Sequence, residues 1–303
     1  MDKIEIYLDF NVLVDLVNRR KRYDMSTIEA MKRSGYIFPY SPFHLEEIAM
    51  IMLDNLDADD KLKKAQQHVL ALRTVSDCCE YLPGGSLPIQ IMIEEPITSL
   101  NNRVLKDLWK TTECIEIEEF IDSQRSQKHF DDYLAKISLD PTTPIRSRNT
   151  IRAELGIEPN GLSHIDPSRI LFDPRVQQLI EWKAPNYGLS TETFPRGAAL
   201  RRNYDLARNA VDCLMRVLNE AGFYADKSGK HRSYMFDVGH TIYATRAECY
   251  VVGDARLLKR AAAIFAFLEG ETRVVSPNEF FCCAEPIAEN KYSRKKSDAN
   301  NYE

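Results

Sequence analysis

The sequence predicts an α/β fold built on a parallel sheet, and two stretches far apart in the 303-residue chain carry that expectation. Residues 4–10 (IEIYLDF) form a compact apolar run ending in Asp9, followed by Asn11 and an apolar helix marked by Val12, Leu13, Leu16 and Val17. Residues 249–252 (CYVV) are apolar, too short for a helix and bounded by Gly253. Flanked by helical patterns, such a run is expected to be a strand buried on both faces. A third strand is expected at residues 36–40 (YIFPY). It leads into a helix start in which Ser41 is the expected N-cap and Pro42 takes the first helical position.

Carboxylates gather at these strand ends. Asp9 closes the first strand, Asp254 follows the run at 249–252, and Glu46 and Glu47 lie just past Ser41. Asp237 is expected to open an amphipathic helix in which Ile242, Ala244 and Ala247 face a core. Ligands of open α/β sheets bind outside the carboxyl ends of the strands. Each aspartate alone reads as an ordinary N-cap. Brought together, the acids would repel unless a divalent cation neutralised them, and hard oxygen donors suit Mg²⁺ or Mn²⁺. Glu47 falls off the apolar stripe of Leu45, Ile48, Ala49, Met52, Leu53 and Leu56, which frees it to face a cleft or solvent. Asn11 stands beside Asp9, His44 one turn before Glu47, and His240 one turn after Asp237. These three are candidates to orient a ligand, contact phosphate or tune a carboxylate; a hydrogen-bonded structural histidine is the plainer alternative.

Between these ends, a second helix is expected at residues 27–33, after the basic end Arg19-Arg20-Lys21-Arg22. Residues 58–203 read as a mainly helical insertion, with a helix at about 59–74 and helical periodicity at 104–110 and 115–137. Pro83-Gly84-Gly85 breaks it, and seven prolines from Pro141 to Pro195 punctuate the region after residue 137. Its second half and the residues just after it concentrate Arg146, Arg148, Arg152, Arg196, Arg201, Arg202 and Arg208, with Tyr187, Phe194 and Tyr204 interleaved. Arginine with aromatics can hold RNA through phosphate contacts and base stacking, so Arg196, Arg201 and Arg202 are candidate substrate contacts. Solvated helix faces and core aromatics explain the same composition. A strong amphipathic helix is expected at 204–223, a polar loop at 225–232, and a closing strand and helix at 274–281. The charged tail at 287–303 is expected to be disordered.

A net charge of −5 and a pI of about 5.8 do not by themselves suggest a nucleic-acid binder, although an acidic metal site adds to the negative side. No apolar run approaches bilayer length, and the chain enters its first strand without a signal peptide, so a cytoplasmic protein without a membrane partner is expected. Seven cysteines, without CxxC spacing, argue against a disulfide framework or structural zinc. No glycine-rich phosphate loop precedes a helix, which argues against an NTPase or dinucleotide enzyme. A di-iron centre would need its acids on long bundle helices.

The stretches LDFNVLVDL, YSPFHLEEIAM, FDVGHTIYATRAECYVVGDARLLKRA and VVSPNEFF, in that order, resemble the PIN-like nuclease domains. The resemblance covers residues 1–57 and 204–286 and implies a discontinuous core: a three-layer fold with a central parallel sheet. It implies an acidic site at Asp9, Glu47, Asp237 and Asp254, the last two being 17 residues apart, near the usual gap. Glu47 is preferred to Glu46 because it lies six residues past Ser41, among Phe43, Leu45 and Ile48. The threonine often found two residues before the last aspartate is Val252 here. The implied activity is metal-dependent cleavage of RNA, with DNA left open. Relatives of this kind serve in toxin–antitoxin and antiphage systems, which leaves room for a regulatory or antitoxin-like partner and a homo-oligomer. The alternative is a non-catalytic scaffold on the same fold.

Overall fold

The structure is a computed structural model that describes residues 3–18, 20, 23–51, 58–105, 148–158, 161–225 and 231–282. The expectations for residues 115–137, for the side chains of Met52, Leu53 and Leu56, for Arg146 and for the tail lie outside them.

The chain folds as α/β. Its described strands are β1 (Ile4–Leu8), β2 (Tyr36–Ile37), β3 (Cys79–Leu82), β4 (Gln90–Ile93), β5 (Cys249–Val251) and β6 (Arg273–Val275). Four of them form a sheet of order β2-β1-β5-β6, parallel at every pairing, with Ile6 opposite Cys249 and Tyr250 opposite Val274. β3 and β4 make a separate antiparallel hairpin. All four carboxyl ends of the parallel sheet therefore open on one edge, the edge that carries Asp9 and Gly253-Asp254.

Both sheet faces are covered, and the period-2 geometry of the strands sorts their residues between two cores. Ile4, Ile6 and Leu8 of β1, with Cys249 and Val251 of β5, face a core filled by helices Phe10–Asn18, Met25–Arg33, Pro42–Ile51 and Ala58–Ser76. Tyr7 and Tyr250 point the other way, into a core built largely from helices Tyr204–Ala221, His231–Ala244 and Ala255–Phe267. Continuous burial along IEIYL and CYV is the sign of strands covered on both sides. Residues between 58 and 203 contribute to both cores: Ala65, Leu72 and Val75 to the first, and Ile151, Leu179, Ile180 and Phe194 to the second.

Three local readings are corrected. The ladder of the second strand stops at Ile37, because Pro39 has no N–H to donate; Tyr40 makes only an isolated bridge to Glu80. Helix Pro42–Ile51 begins as expected, but the Ser41 hydroxyl bonds the Tyr7 hydroxyl, 2.5 Å away, instead of serving as the expected side-chain cap. Asp237 does not open its helix. His231–Ala244 starts six residues earlier, because Tyr234, Val238 and Ile242 continue one stripe against the core at four-residue spacing. Elsewhere boundaries fall within a few residues of expectation, as at Ala58–Ser76 and Tyr204–Ala221. Among the described residues, no helix is long and apolar enough to cross a membrane.

Candidate acidic site at the carboxyl edge of the sheet

Asp9 follows β1 directly, and its backbone N–H continues the ladder to the Val251 carbonyl at 2.9 Å. Its side chain is only 2% exposed. One oxygen, Oδ2, accepts both from the Asn11 amide and from the Gly253 N–H, each at 3.2 Å. Gly253 has to be a glycine for that approach, since a Cβ there would stand 2.9 Å from the Asn11 Cβ. Burial raises the Asp9 carboxyl to about 6; His240 and the two donors oppose the shift, and the charge of Glu47 adds to it.

Glu47 reaches this neighbourhood from helix Pro42–Ile51. Its Oε2 lies 2.7 Å from His240 Nε2, and burial raises its carboxyl to about 8. His240 is buried and held down to about 4, chiefly by burial, with Asp9 and Glu46 opposing. The contact depends on close helix packing. A Cβ at Gly239 would strike the Phe43 ring at 2.3 Å, so this glycine lets helix His231–Ala244 approach helix Pro42–Ile51 closely enough for His240 to reach Glu47. Glu46 is also raised by burial, but no side-chain hydrogen bond anchors it among the described residues.

The other two acids are held differently. Asp237 Oδ2 receives Arg260 Nη2 at 2.7 Å, and that guanidinium is fully buried. Asp254 is exposed and caps helix Ala255–Phe267, its Oδ1 accepting from the Arg256 N–H at 2.7 Å and the Leu257 N–H at 2.9 Å. Asp9 and Glu47 thus share one neighbourhood, Asp254 adjoins it through Gly253, and Asp237 is turned to Arg260. Burial raises the Tyr250 hydroxyl well above its ordinary value, and the charges of Asp9 and Asp237 add to the shift.

Of the flanking candidates, Asn11 and His240 bond the predicted acids, whereas His44 does not. His44 Nε2 lies 2.9 Å from the Leu8 carbonyl, and burial holds its ring well below its ordinary value. Arg196 pairs with Glu269 at 2.7 Å and stacks over Phe267, and Arg201 pairs with Glu271 at 3.0 Å and donates to the Ala247 carbonyl. Arg202 is exposed. Phe194 and Tyr204 are core residues, so stacking of bases on them is not open in this arrangement. Tyr7 and Arg260 escaped the sequence reading; an apolar strand and a basic helix face gave no sign of buried polar partners.

A divalent cation fits part of this donor set. Asp9, buried, and Glu47, partly buried, are hard oxygen donors pushed toward their neutral forms, and among the described residues no Lys or Arg pairs with either. Positive charge bound there would offset the cost of ionising them. Asp9, Glu47 and Asp254 each use a single oxygen in the described hydrogen bonds. Against this, among the described residues no three His, Cys, Asp or Glu side chains come close enough to hold a metal ion together. Water would have to complete the coordination, as is usual for Mg²⁺.

The raised Glu47 carboxyl makes stability depend on pH. The folded state holds this proton up to about pH 8, against an ordinary value of 4.5, so that contribution is present at low pH and lost as pH rises through 8. His240 acts oppositely: held down to about 4 from 6.5, its contribution is present above 6.5 and lost as pH falls through about 4. Between 6.5 and 8 the carboxyl therefore dominates. Urea melts without divalent cation should show a loss of about 2 kcal/mol across that window, at about 1.4 kcal/mol per pH unit. Glu47→Gln should flatten it; an equal slope in that variant would assign the effect to another group.

Set against family models, curated proteins and solved structures, the chain matches none of them.

Proposed function

We propose that the protein is a metal-dependent nuclease of PIN-like architecture, an endoribonuclease acting through the acidic edge of its sheet. One observation carries the reading. Buried Asp9 and partly buried Glu47, beside Asp254, gather at the carboxyl edge of a parallel sheet, each tied down by one oxygen and none paired with a Lys or Arg among the described residues. Carboxylates so arranged suit a cation better than they suit stability. The order of the four motifs adds support, and RNA as substrate rests on that resemblance.

In this reading Asp9 and Glu47 would hold Mg²⁺ or Mn²⁺, and Asp254 would offer its second oxygen. The bound metal would position and acidify a water and offset charge on the phosphate. Asn11 and the Gly253 N–H keep Asp9 in place, and His240 keeps Glu47 in place. Asp237, bound to Arg260, shapes the site and helps fix the helix that carries His240.

A second reading, a binding or scaffold subunit without activity, is favoured by the Asp237–Arg260 ion pair and by the pairing of Arg196 and Arg201 with glutamates. Incubation with labelled RNA and DNA in Mg²⁺, Mn²⁺ or EDTA separates the two. The nuclease reading expects RNA fragments with either metal and none in EDTA. Glu47→Gln should lower the rate at least 100-fold, and Glu46→Gln less than tenfold, since only Glu47 is anchored by His240. Intact RNA under every metal condition would favour the scaffold.

A further inference from the structure

Tyr7 is the centre of a buried polar chain that runs into the acidic site. It sits in mid-strand on β1, fully buried. Its hydroxyl lies 2.5 Å from Ser41 Oγ, 2.8 Å from His240 Nδ1 and 3.4 Å from His44 Nδ1. The far nitrogen of His240 is the one on Glu47. Four residues from three elements, β1 and helices Pro42–Ile51 and His231–Ala244, with Ser41 just ahead of the first helix, thus share one hydrogen-bond path.

The direction of that path follows from fixed groups. A carbonyl only accepts, so His44 Nε2 carries the proton it gives to Leu8. His44 Nδ1 is then bare, which is why it accepts from the Ser41 N–H at 3.1 Å. That nitrogen cannot donate to Tyr7. When Glu47 is ionised, His240 Nε2 must carry a proton to meet it, which leaves His240 Nδ1 bare in the neutral ring. Tyr7 is the hydroxyl that donates to Nδ1, and Ser41 donates in turn to Tyr7. Ser41 Oγ also lies 3.3 Å from the bare His44 Nδ1, but with Tyr7 donating to His240 its single proton serves the shorter contact to Tyr7.

We infer that Tyr7 is a positioning residue: once ionised Glu47 sets the Nε2–H tautomer of His240, the Tyr7 hydroxyl braces the ring by donating to Nδ1, and so holds one Glu47 oxygen while the other stays open to a cation. This rests on the nuclease reading above. A partner bonded directly to a metal ligand, as His240 is to Glu47, typically governs metal affinity or activity by about 10- to 100-fold, and Tyr7 acts one step behind it.

The test begins with the wild-type protein. Imidazole ¹⁵N shifts measured with Mg²⁺ should show His240 protonated at Nε2 and bare at Nδ1; the opposite tautomer overturns the inference. Mn²⁺ affinity is then read by electron paramagnetic resonance. Tyr7→Phe keeps the ring, which stacks on Tyr81 with centroids 6.0 Å apart, and removes only the hydroxyl. It should weaken Mn²⁺ binding by about tenfold, the lower end for a partner bonded to the ligand itself. On a His240→Gln background, whose amide donates whatever its neighbours do, Tyr7→Phe should change affinity less than twofold. Unchanged affinity in Tyr7→Phe, or an equal loss on both backgrounds, would show that the hydroxyl matters for packing alone or not at all. If the wild-type protein binds Mn²⁺ yet shows the wrong tautomer, the nuclease reading survives and this inference fails. If the wild type binds no Mn²⁺, both fail.

Discussion

Asp9→Asn is expected to abolish RNA cleavage and to leave the metal-free protein at least as stable as the wild type. The asparagine oxygen can still accept from Asn11 and from the Gly253 N–H, so the local geometry at the end of β1 survives. What disappears is a buried negative charge. Raising a carboxyl from 3.8 to about 6 makes its ionised form cost about 3 kcal/mol at neutral pH, and the substitution removes that cost. Thermal melts at pH 7.5 without divalent cation should therefore show an unchanged or higher Tm. The same change removes a charged oxygen donor, and the rate with Mg²⁺ should fall by three orders of magnitude or more, as when a transition-state contact of at least 4 kcal/mol is lost. Cleavage at the wild-type rate would move the active site elsewhere. A large drop in Tm would mean that Asp9 is structural.

Arg260→Met should do the reverse and act mainly on stability. The guanidinium is fully buried and meets Asp237 at 2.7 Å, with the carboxylate itself largely covered. Breaking a buried pair by removing one partner costs about 3–5 kcal/mol, because the remaining charge loses its compensation. At roughly 2–4 °C per kcal/mol for a chain somewhat shorter than this one, Tm should fall by on the order of 10 °C. Replacing both partners, as Arg260→Met with Asp237→Leu, should restore much of the loss, since well-packed apolar residues can substitute for a buried pair. A single variant that melts within 2 °C of wild type would show that Asp237 keeps its charge satisfied without Arg260.

The pair also explains why a reading of Asp237 from sequence falls short. Asp, Val, Gly and His at 237–240 look like a cap followed by a helix, and the stripe that extends the helix back to His231 rests on Tyr234 alone for its upstream turn. Arg260 stands 23 residues later, in a helix whose other face is apolar. Only the packing of the two helices turns a surface-looking arginine into a buried partner.

By itself the sequence determined the α/β class, the existence of the buried strands expected at residues 4–10 and 249–252 and of the long helices expected at about 59–74 and 204–223, and the aspartates that follow strands, Asp9 and Asp254. Those features follow from local rules: period-2 and period-3.6 apolar patterns, Pro and Gly breaks, and the aspartates that follow strands. Tertiary structure decided the rest. Glu47 meets His240 across 193 residues, and Tyr7 meets His240 across 233. Arg196 and Arg201 turn to Glu269 and Glu271, and the aromatics beside them go into the core. No window of sequence contains such pairs. Their energetics depend on burial, which raises the carboxyls, lowers the histidines and makes each hydrogen bond among them count, and burial is set only when both helical layers close on the sheet.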